Sequence, residues 1–355
     1  MLYSFGSNGN FQLGLNHHED VAVPTKVGFA GTVKAIACGG NHTLLLDKQN
    51  KVWATGLNSS LQCGQPFWHK KKAVDHVIGF QPILTSICCS LISAGWEFTL
   101  VVDLSQKMLF TCGVGPHGEL GLGVKGPKSF SQVPIPLETG EIIISMAAGL
   151  KHWVCVTSAG RLYGCGDGRK GQLSSKVINT VSQPVLIGVF PGAKKVVCGV
   201  QFTGILFNSG ELKILGNTKW RITDEYAAWV ANEDNRQLQI VDVSSNWSTL
   251  TLLTDKGNCL AFGRGDRAQK AHSRLEQPVH QVSGGSEHNI VLLETRQAIV
   301  YGWNEHGNAG LQHRKDVYTA VPLKLDAPVT LVAAGYATSW IVTESASTDN
   351  NSPAV

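Results

Sequence analysis

The chain has no Cys-x-x-Cys pair, although nine cysteines are spread along its 355 residues. Metal ribbons and redox motifs need that short spacing so that two sulfurs reach one ion. Only Cys88 and Cys89 are close, and adjacent strand residues point to opposite faces. The cysteines therefore read as small buried apolar residues in a reducing compartment, and neither a metal nor another cofactor is expected. Charge is also scarce. Charged residues make up 16% of the chain and the net charge is +4, too weak to argue for nucleic acid or a membrane surface. The tight basic cluster His69-Lys70-Lys71-Lys72 reads as a solvated loop. No long apolar run exists, and the opening Met-Leu-Tyr-Ser-Phe-Gly carries no basic segment. Neither a transmembrane helix nor a signal peptide is expected, which leaves a cytoplasmic or nucleocytoplasmic home. Helix signals are few throughout.

What is abundant is glycine, 39 residues, and the glycines recur in a pattern. YGWNEHGNAGL (Gly302) aligns with SFGSNGNFQLGL (Gly6), ATGLNSSLQCG (Gly56), TCGVGPHGELGL (Gly113) and GCGDGRKGQL (Gly166). Two worn copies are ILGNTKW (Gly216) and AFGRGDRAQ (Gly263). The seven are 50, 57, 53, 50, 47 and 39 residues apart. A second motif is interleaved: ACGGNHTLLL (Gly39), SAGWEFTLVV (Gly95), AAGLKHWVCV (Gly149), VCGVQFTGIL (Gly199), VSSNWSTLTL (with Ser245 for glycine), SGGSEHNIVL (Gly285) and AAGYATSWIV (Gly335). From each second-motif anchor to the next first-motif glycine is 17 or 18 residues.

That interval holds an apolar run, a polar turn and a second apolar run, as in Leu44–Leu46, Asp47-Lys-Gln-Asn50 and Val52–Trp53. Asn, Asp and Gly tolerate the positive φ of tight turns, so these intervals predict β-hairpins. About four short strands per repeat of near 50 residues predict an all-β, seven-bladed propeller over residues 1–343, with a short polar disordered tail over 344–355. An anchor glycine in each blade suits places where backbones crowd and a Cβ would clash. The seventh second motif lacks a downstream hairpin partner, and Leu2–Gly6 lacks an upstream one. Pairing the N-terminal strand with the last blade would close the ring and remove two open edges.

Seven interleaved copies of this kind resemble the regulator of chromosome condensation repeat family, over about residues 1–343. FGSNGNFQLGLNHHEDVAVPTKV, IACGGNHTLLL, GGSEHNIVLL and YGWNEHGNAGL are most similar to one branch, the fungal alpha-tubulin suppressor proteins. They are also similar to the animal secretion-regulating guanine-exchange-factor-like proteins. The resemblance implies a non-enzymatic scaffold that binds a small CSL-type zinc-finger protein. With that partner it would support Elongator-dependent modification of tRNA wobble uridine and diphthamide formation. It also leaves two alternatives, an exchange factor for a small GTPase and an indirect, tubulin-related regulator. The family's founding member has a basic N-terminal tail; here the first strand begins at residue 2, so direct DNA binding is not expected. Residues 217–240 fit no motif.

Glu305 beside His306 raises the question of acid–base chemistry. The His306 slot holds Asn10, Ser60, Pro116, Lys170 and Arg267 in other copies, so no constant chemistry occupies it. It reads as a loop position, available to a partner. His42, His152 and His288 share a slot with Phe98, Phe202, Ser248 and Thr338. His-for-Phe exchange predicts a half-buried packing position with the ring nitrogen bonded to backbone. The partner-binding candidates are Trp96, Glu97, Ser286, Glu287, His288, Trp303, Asn304, Glu305 and His306, on the face where the motif turns gather. Trp220 and Trp229 read as a second interface or a local cluster. GELGLGVKG lacks the Gly-Lys-Ser/Thr of a phosphate loop and reads as the repeat turn. No Ser-His-Asp or Cys-His arrangement stands out.

Overall fold

Asn50, Gly210 and Gly257 adopt positive φ (60°, 82° and 73°), and each reverses the chain between two strands of the expected hairpins. The computed structural model describes all residues except 70–71, 175–178, 217–218, 236, 271–274, 276 and 345–355. Two lysines of the basic cluster and most of the polar tail thus lie outside the described residues. The strands run in chain order. β1 (Leu2–Gly6) and β2 (Val21–Lys26) come first. Blade one is β3 (Val33–Cys38), β4 (His42–Asp47), β5 (Val52–Leu57) and β8 (His76–Ile83), with a small hairpin of β6 (Phe67–His69) and β7 (Lys72–Val74) before its last strand. Blade two is β9 (Cys89–Ala94), β10 (Phe98–Asp103), β11 (Leu109–Gly113) and β12 (Lys128–Val133). Blade three is β13 (Ile143–Ala148), β14 (His152–Thr157), β15 (Arg161–Gly166) and β16 (Val181–Val189).

Blade four has three described strands, β17 (Ala193–Cys198), β18 (Phe202–Phe207) and β19 (Leu212–Gly216), followed by the helix α1 (Ile222–Ala231). Blade five also has three, β20 (Ile240–Ser245), β21 (Thr249–Thr254) and β22 (Cys259–Gly263). Blade six is β23 (Val279–Gly284), β24 (His288–Leu293), β25 (Ala298–Gly302) and β26 (Val317–Pro322). The last sheet has the order β2-β1-β28-β27, with β27 (Val329–Ala334) and β28 (Thr338–Thr343) from the C-terminal side. Within it Leu2 to Gly6 face Val342 to Thr338 in antiparallel register. The architecture is a seven-bladed β-propeller.

The core is divided. Seven apolar clusters are present among the described residues, and each lies between two adjacent blades. Phe5 joins blades six and seven, Trp153 blades two and three, and Trp340 blades seven and one. Cys63, Cys89, Cys112, Cys155, Cys165 and Cys259 are buried free thiols in this packing. Burial pushes the Cys155 thiol up to about 12.

Both motif turns emerge on one face and the polar hairpin turns on the other. The first-motif glycines explain why. Gly6, Gly56, Gly113, Gly166, Gly216, Gly263 and Gly302 all have φ between 103° and 117°. A Cβ at Gly56 would meet the Asn41 carbonyl at 2.5 Å, and one at Gly302 the Glu287 carbonyl at 2.6 Å. Here the third strand crosses under the second-motif turn of its own blade, and only glycine fits both the angle and the gap.

The register corrects one anchor. Thr249, not Ser248, faces Gly263, as His42 faces Gly56 and His288 faces Gly302. Asn246 N–H donates to Thr249 O, the bond that Gly39 makes with His42 O and Gly285 with His288 O. Blade five is therefore anchored by Asn246 rather than Ser245. The Asn246 side chain reaches blade six and donates to His288 O (2.7 Å). Gly284 makes the room, since a Cβ there would meet Asn246 Oδ1 at 2.6 Å.

The segment 217–240 contains α1 where no helix is expected. Tyr226 stacks on Trp229 and both meet Phe262 of β22 edge-on, at centroid distances of 5.9 and 6.2 Å. Trp229 therefore belongs to a local cluster. Glu225 accepts the Gly263 N–H (2.8 Å) and pairs with Lys270. The Tyr226 hydroxyl accepts the Leu212 N–H at the edge of β19 (3.3 Å). The helix stands where the other blades place a fourth strand, and its side chains take over part of that strand's hydrogen bonding.

Candidate functional site

The residue after each blade anchor opens the second-motif turn, and Leu150, Trp247, Ser286 and Tyr336 among them line the central channel. Going round, these residues are Gly40, Trp96, Leu150, Val200, Trp247, Ser286 and Tyr336. The three aromatic ones meet. Ring centroids of Trp96 and Tyr336 are 5.1 Å apart, Trp247 and Tyr336 5.2 Å, and Trp96 and Trp247 6.1 Å. Blades two, five and seven thus build one aromatic hub over the central channel, whose lining from the innermost strands mixes small residues with Ile36, Ile92, Met146, Lys195 and Gln281. Gly40 leaves space for it, because a Cβ there would touch the Trp96 ring at 2.9 Å. Backbone bonds tie the same residues round the axis: Trp247 N–H to Ser286 O (3.0 Å) and Ser286 N–H to Tyr336 O (3.2 Å). Trp96 is 39% exposed. Sequence reasoning missed Trp247 and Tyr336. With Ser245 taken as the anchor, Trp247 falls outside the column of residues that follow the anchors.

Beside the hub lies a cleft of about 520 Å³, bounded by Trp96, Trp247, Tyr336, Trp303, Arg264 and Arg267. Glu305 and His306 are on its rim, but each turns to a different blade. Glu305 accepts from Arg267 Nη1 (2.9 Å), and that guanidinium holds its carboxyl below the usual range. His306 Nδ1 lies 2.7 Å from Asp20 Oδ2, and its ring meets Trp303 edge-on at 5.4 Å. Asp20 in turn accepts the Asn8 N–H (2.8 Å). The dyad that suggested acid–base chemistry is a pair of cross-blade ties running from blade five through six to seven.

Several candidates lie within the scaffold. Asn304 is fully buried and clips its own turn: its amide donates to His313 O and Lys315 O, and its oxygen accepts Ala309 N–H (2.7 Å). Asn8 and Asn58 make the equivalent bonds in their turns. Ser286 is buried at the hub. Glu287 accepts from Ser248 Oγ (2.8 Å), Gln269 Nε2 (2.6 Å) and Arg264 Nη1 (3.4 Å), joining blades five and six. Trp96, Glu97, Trp303, Glu305 and His306 remain accessible, at least in part, on this face.

The repeated histidines differ from expectation in two respects. They are fully buried, and they bond to a side chain. His42 Nε2 meets Thr99 Oγ1 (2.8 Å), His152 meets Thr203 (3.1 Å) and His288 meets Ser339 (3.0 Å), each on the next blade. Those hydroxyls donate to the carbonyls of Gln62, Gln172 and Asn308. They must therefore accept from the imidazole, which fixes its proton on Nε2. The buried Nδ1 atoms have no partner among the described residues. A second proton would find no acceptor there. Burial lowers these groups to about 3 for His42 and about 4 for His152 and His288.

Among the described residues, no cluster of three or more His, Cys, Asp or Glu side chains could hold a metal. No described helix is long and apolar enough to cross a membrane. The RCC1-like domain matches residues 1–341. The chain belongs to that family. It is 45% identical to an RCC1 repeat-containing protein of Schizosaccharomyces pombe over 97% of this chain and 99% of that one. It is 26% identical to the secretion-regulating guanine nucleotide exchange factor of Mus musculus, over 91% of this chain and 78% of that one. Two crystal structures share the fold at 18% identity. Human WBSCR16 has a TM-score of 0.80, covering 97% of this chain and 100% of that one. Prp20p from Saccharomyces cerevisiae, described with its binding to Gsp1p and histones, has a TM-score of 0.81, covering 97% and 92%.

Proposed function

We propose that this RCC1-like propeller is a non-enzymatic scaffold whose motif-turn face holds a small CSL-type zinc-finger protein. In that complex it supports Elongator-dependent wobble-uridine modification and diphthamide formation, in the cytoplasm and the nucleus. The observation that carries the binding role is the aromatic hub of exposed Trp96 with half-buried Trp247 and Tyr336, beside Trp303, Arg264 and Arg267. Trp, Tyr and Arg at the centre of a patch are the residues that dominate protein interfaces. The rigid ring beneath them limits the ordering cost of association. The identity of the partner comes from the resemblance in the repeat motifs and not from the face.

A second reading is an exchange factor for a small GTPase, favoured by the likeness to the mouse exchange factor. Purification of the tagged chain at native expression separates the two. Recovery of a small zinc-finger protein, with no acceleration of nucleotide release from co-purifying GTPases, is the expected result. Recovery of a GTPase whose nucleotide release the purified chain speeds up contradicts the first reading.

A further inference from the structure

On the other side of Trp96, between blades two and three, lies a second cleft of about 240 Å³. Trp96, Val114, Pro116 and Leu150 give it apolar walls, with Trp247 at one end. Its ionisable groups are Glu97, His117, Glu119 and Lys151. Glu119 is the anomaly. Four other blades place Gln12, Gln62, Gln172 and Gln269 at this turn position. In each, the amide oxygen accepts the N–H two residues earlier, from Asn10, Ser60, Lys170 and Arg267. Glu119 makes the same bond with His117 N–H (2.7 Å), and its other oxygen is 3.1 Å from His117 Nδ1.

Glutamine alone would serve the turn. The carboxylate adds a negative charge that is 3% exposed. A carboxylate has about four acceptor sites; His117 takes two and the residue's own backbone N–H bears on a third. Burial raises this carboxyl, and His117 opposes the shift. Glu97 has no ion pair with the described residues, and neither has Lys151. His117 aside, two carboxyl groups stand against one ammonium in the cleft.

We propose that this cleft receives an arginine side chain of the protein partner; the inference rests on the binding role assigned to this face. The arginine stem would lie along Val114 and Pro116, and its planar head would stack on Trp96. Its fork of donors would take up the free acceptor sites of Glu119 and Glu97. A purely apolar anchor would leave the remaining acceptor sites of a desolvated carboxylate unfilled, and an acidic one would be repelled.

The test uses the full chain and N-acetyl-arginine methylamide, followed through the indole N–H signals of Trp96 and Trp247. Trp96→Phe and Trp247→Phe assign those signals. The expected result is a saturable shift with the arginine compound and none with the norleucine or glutamate analogues. Binding should weaken about tenfold in Glu119→Gln, a variant that restores the residue used by four sister blades. An equal response to norleucine, no response, or unchanged binding in Glu119→Gln with Glu97→Gln overturns the proposal. Partner capture separates the two claims. Capture that persists at full strength in the double variant removes the arginine pocket alone, whereas a wild-type chain that captures no protein removes the binding role of the face.

Discussion

His42, His152 and His288 show how one slot is used by two residue types. Phe98 and Phe202 fill it with a ring alone; histidine adds a bond to the hydroxyl of the next blade. The sequence identifies the slot through the His-for-Phe exchange. It cannot reveal the neighbour, which lies about fifty residues away on another blade. The buried neutral rings have consequences for acid stability. Their folded pKa values lie below the unfolded value near 6.5, so the unfolded chain binds more protons from about pH 6.5 down to about 4 for His152 and His288 and about 3 for His42. Stability is full above that window and falls as pH drops through it, by about 1.4 kcal/mol per pH unit for each histidine. Urea unfolding at pH 7, 6 and 5 should show this fall, and His288→Phe should remove about a third of the three-histidine slope. An identical slope in that variant would contradict the assignment. Asn246 is a second residue-scale case. An asparagine in a glycine column is hard to align, and the misplacement by one residue also concealed Trp247. Gly284→Ala should cost about 2 kcal/mol of unfolding free energy, because the Asn246 side chain and the Ser245 carbonyl fill the space a Cβ needs. The cost should shrink only in part when Asn246→Gly is added, since the Ser245 carbonyl still stands 2.7 Å from the Cβ.

At the scale of elements, strands and turns are legible because period-two apolar runs and turn residues are local signals. α1 is not. It sits in the worn part of the repeat, carries no side-chain cap at Arg221, and buries only Ile222 fully. Its fold depends on Phe262 and on two strand edges that lie elsewhere in the chain. Tyr226→Ala should therefore lower stability by about 2 kcal/mol, through lost ring packing and the lost Leu212 bond. An unchanged urea midpoint would mean that the helix does not cover those edges. The N-terminal strand is a different case, since its partner is visible in the sequence only as two incomplete ends. β1 pairs with β28 over five residues and buries Leu2 and Phe5 in two different interfaces. Removing Met1–Gly6 should cost about 5 kcal/mol or prevent folding altogether, as read from the thermal transition. A melting temperature equal to that of the full chain would contradict the role of this strand in closing the ring.

For the whole molecule, seven apolar seams hold the blades while the turns on one face remain free to vary. That division explains which parts of the site the motifs display. Asn304 and His288 recur because the scaffold uses them, so repetition alone marks them as structure. Trp96, Trp247 and Tyr336 depart from the small residue that Gly40 and Ser286 supply at the same place, and the departures meet at the axis only once the ring is closed. Glu305 and His306 look reactive in a linear stretch and are ties between blades in three dimensions. The proposed binding role requires that this motif-turn face docks a protein. Capture of the native partner by three forms of the chain tests it most directly: wild type, Trp96→Ala with Trp303→Ala, and Lys48→Glu on the opposite, hairpin face. All three should fold with similar thermal transitions, and only the tryptophan variant should lose the partner. Full capture by the tryptophan variant, or loss in Lys48→Glu alone, would contradict that role.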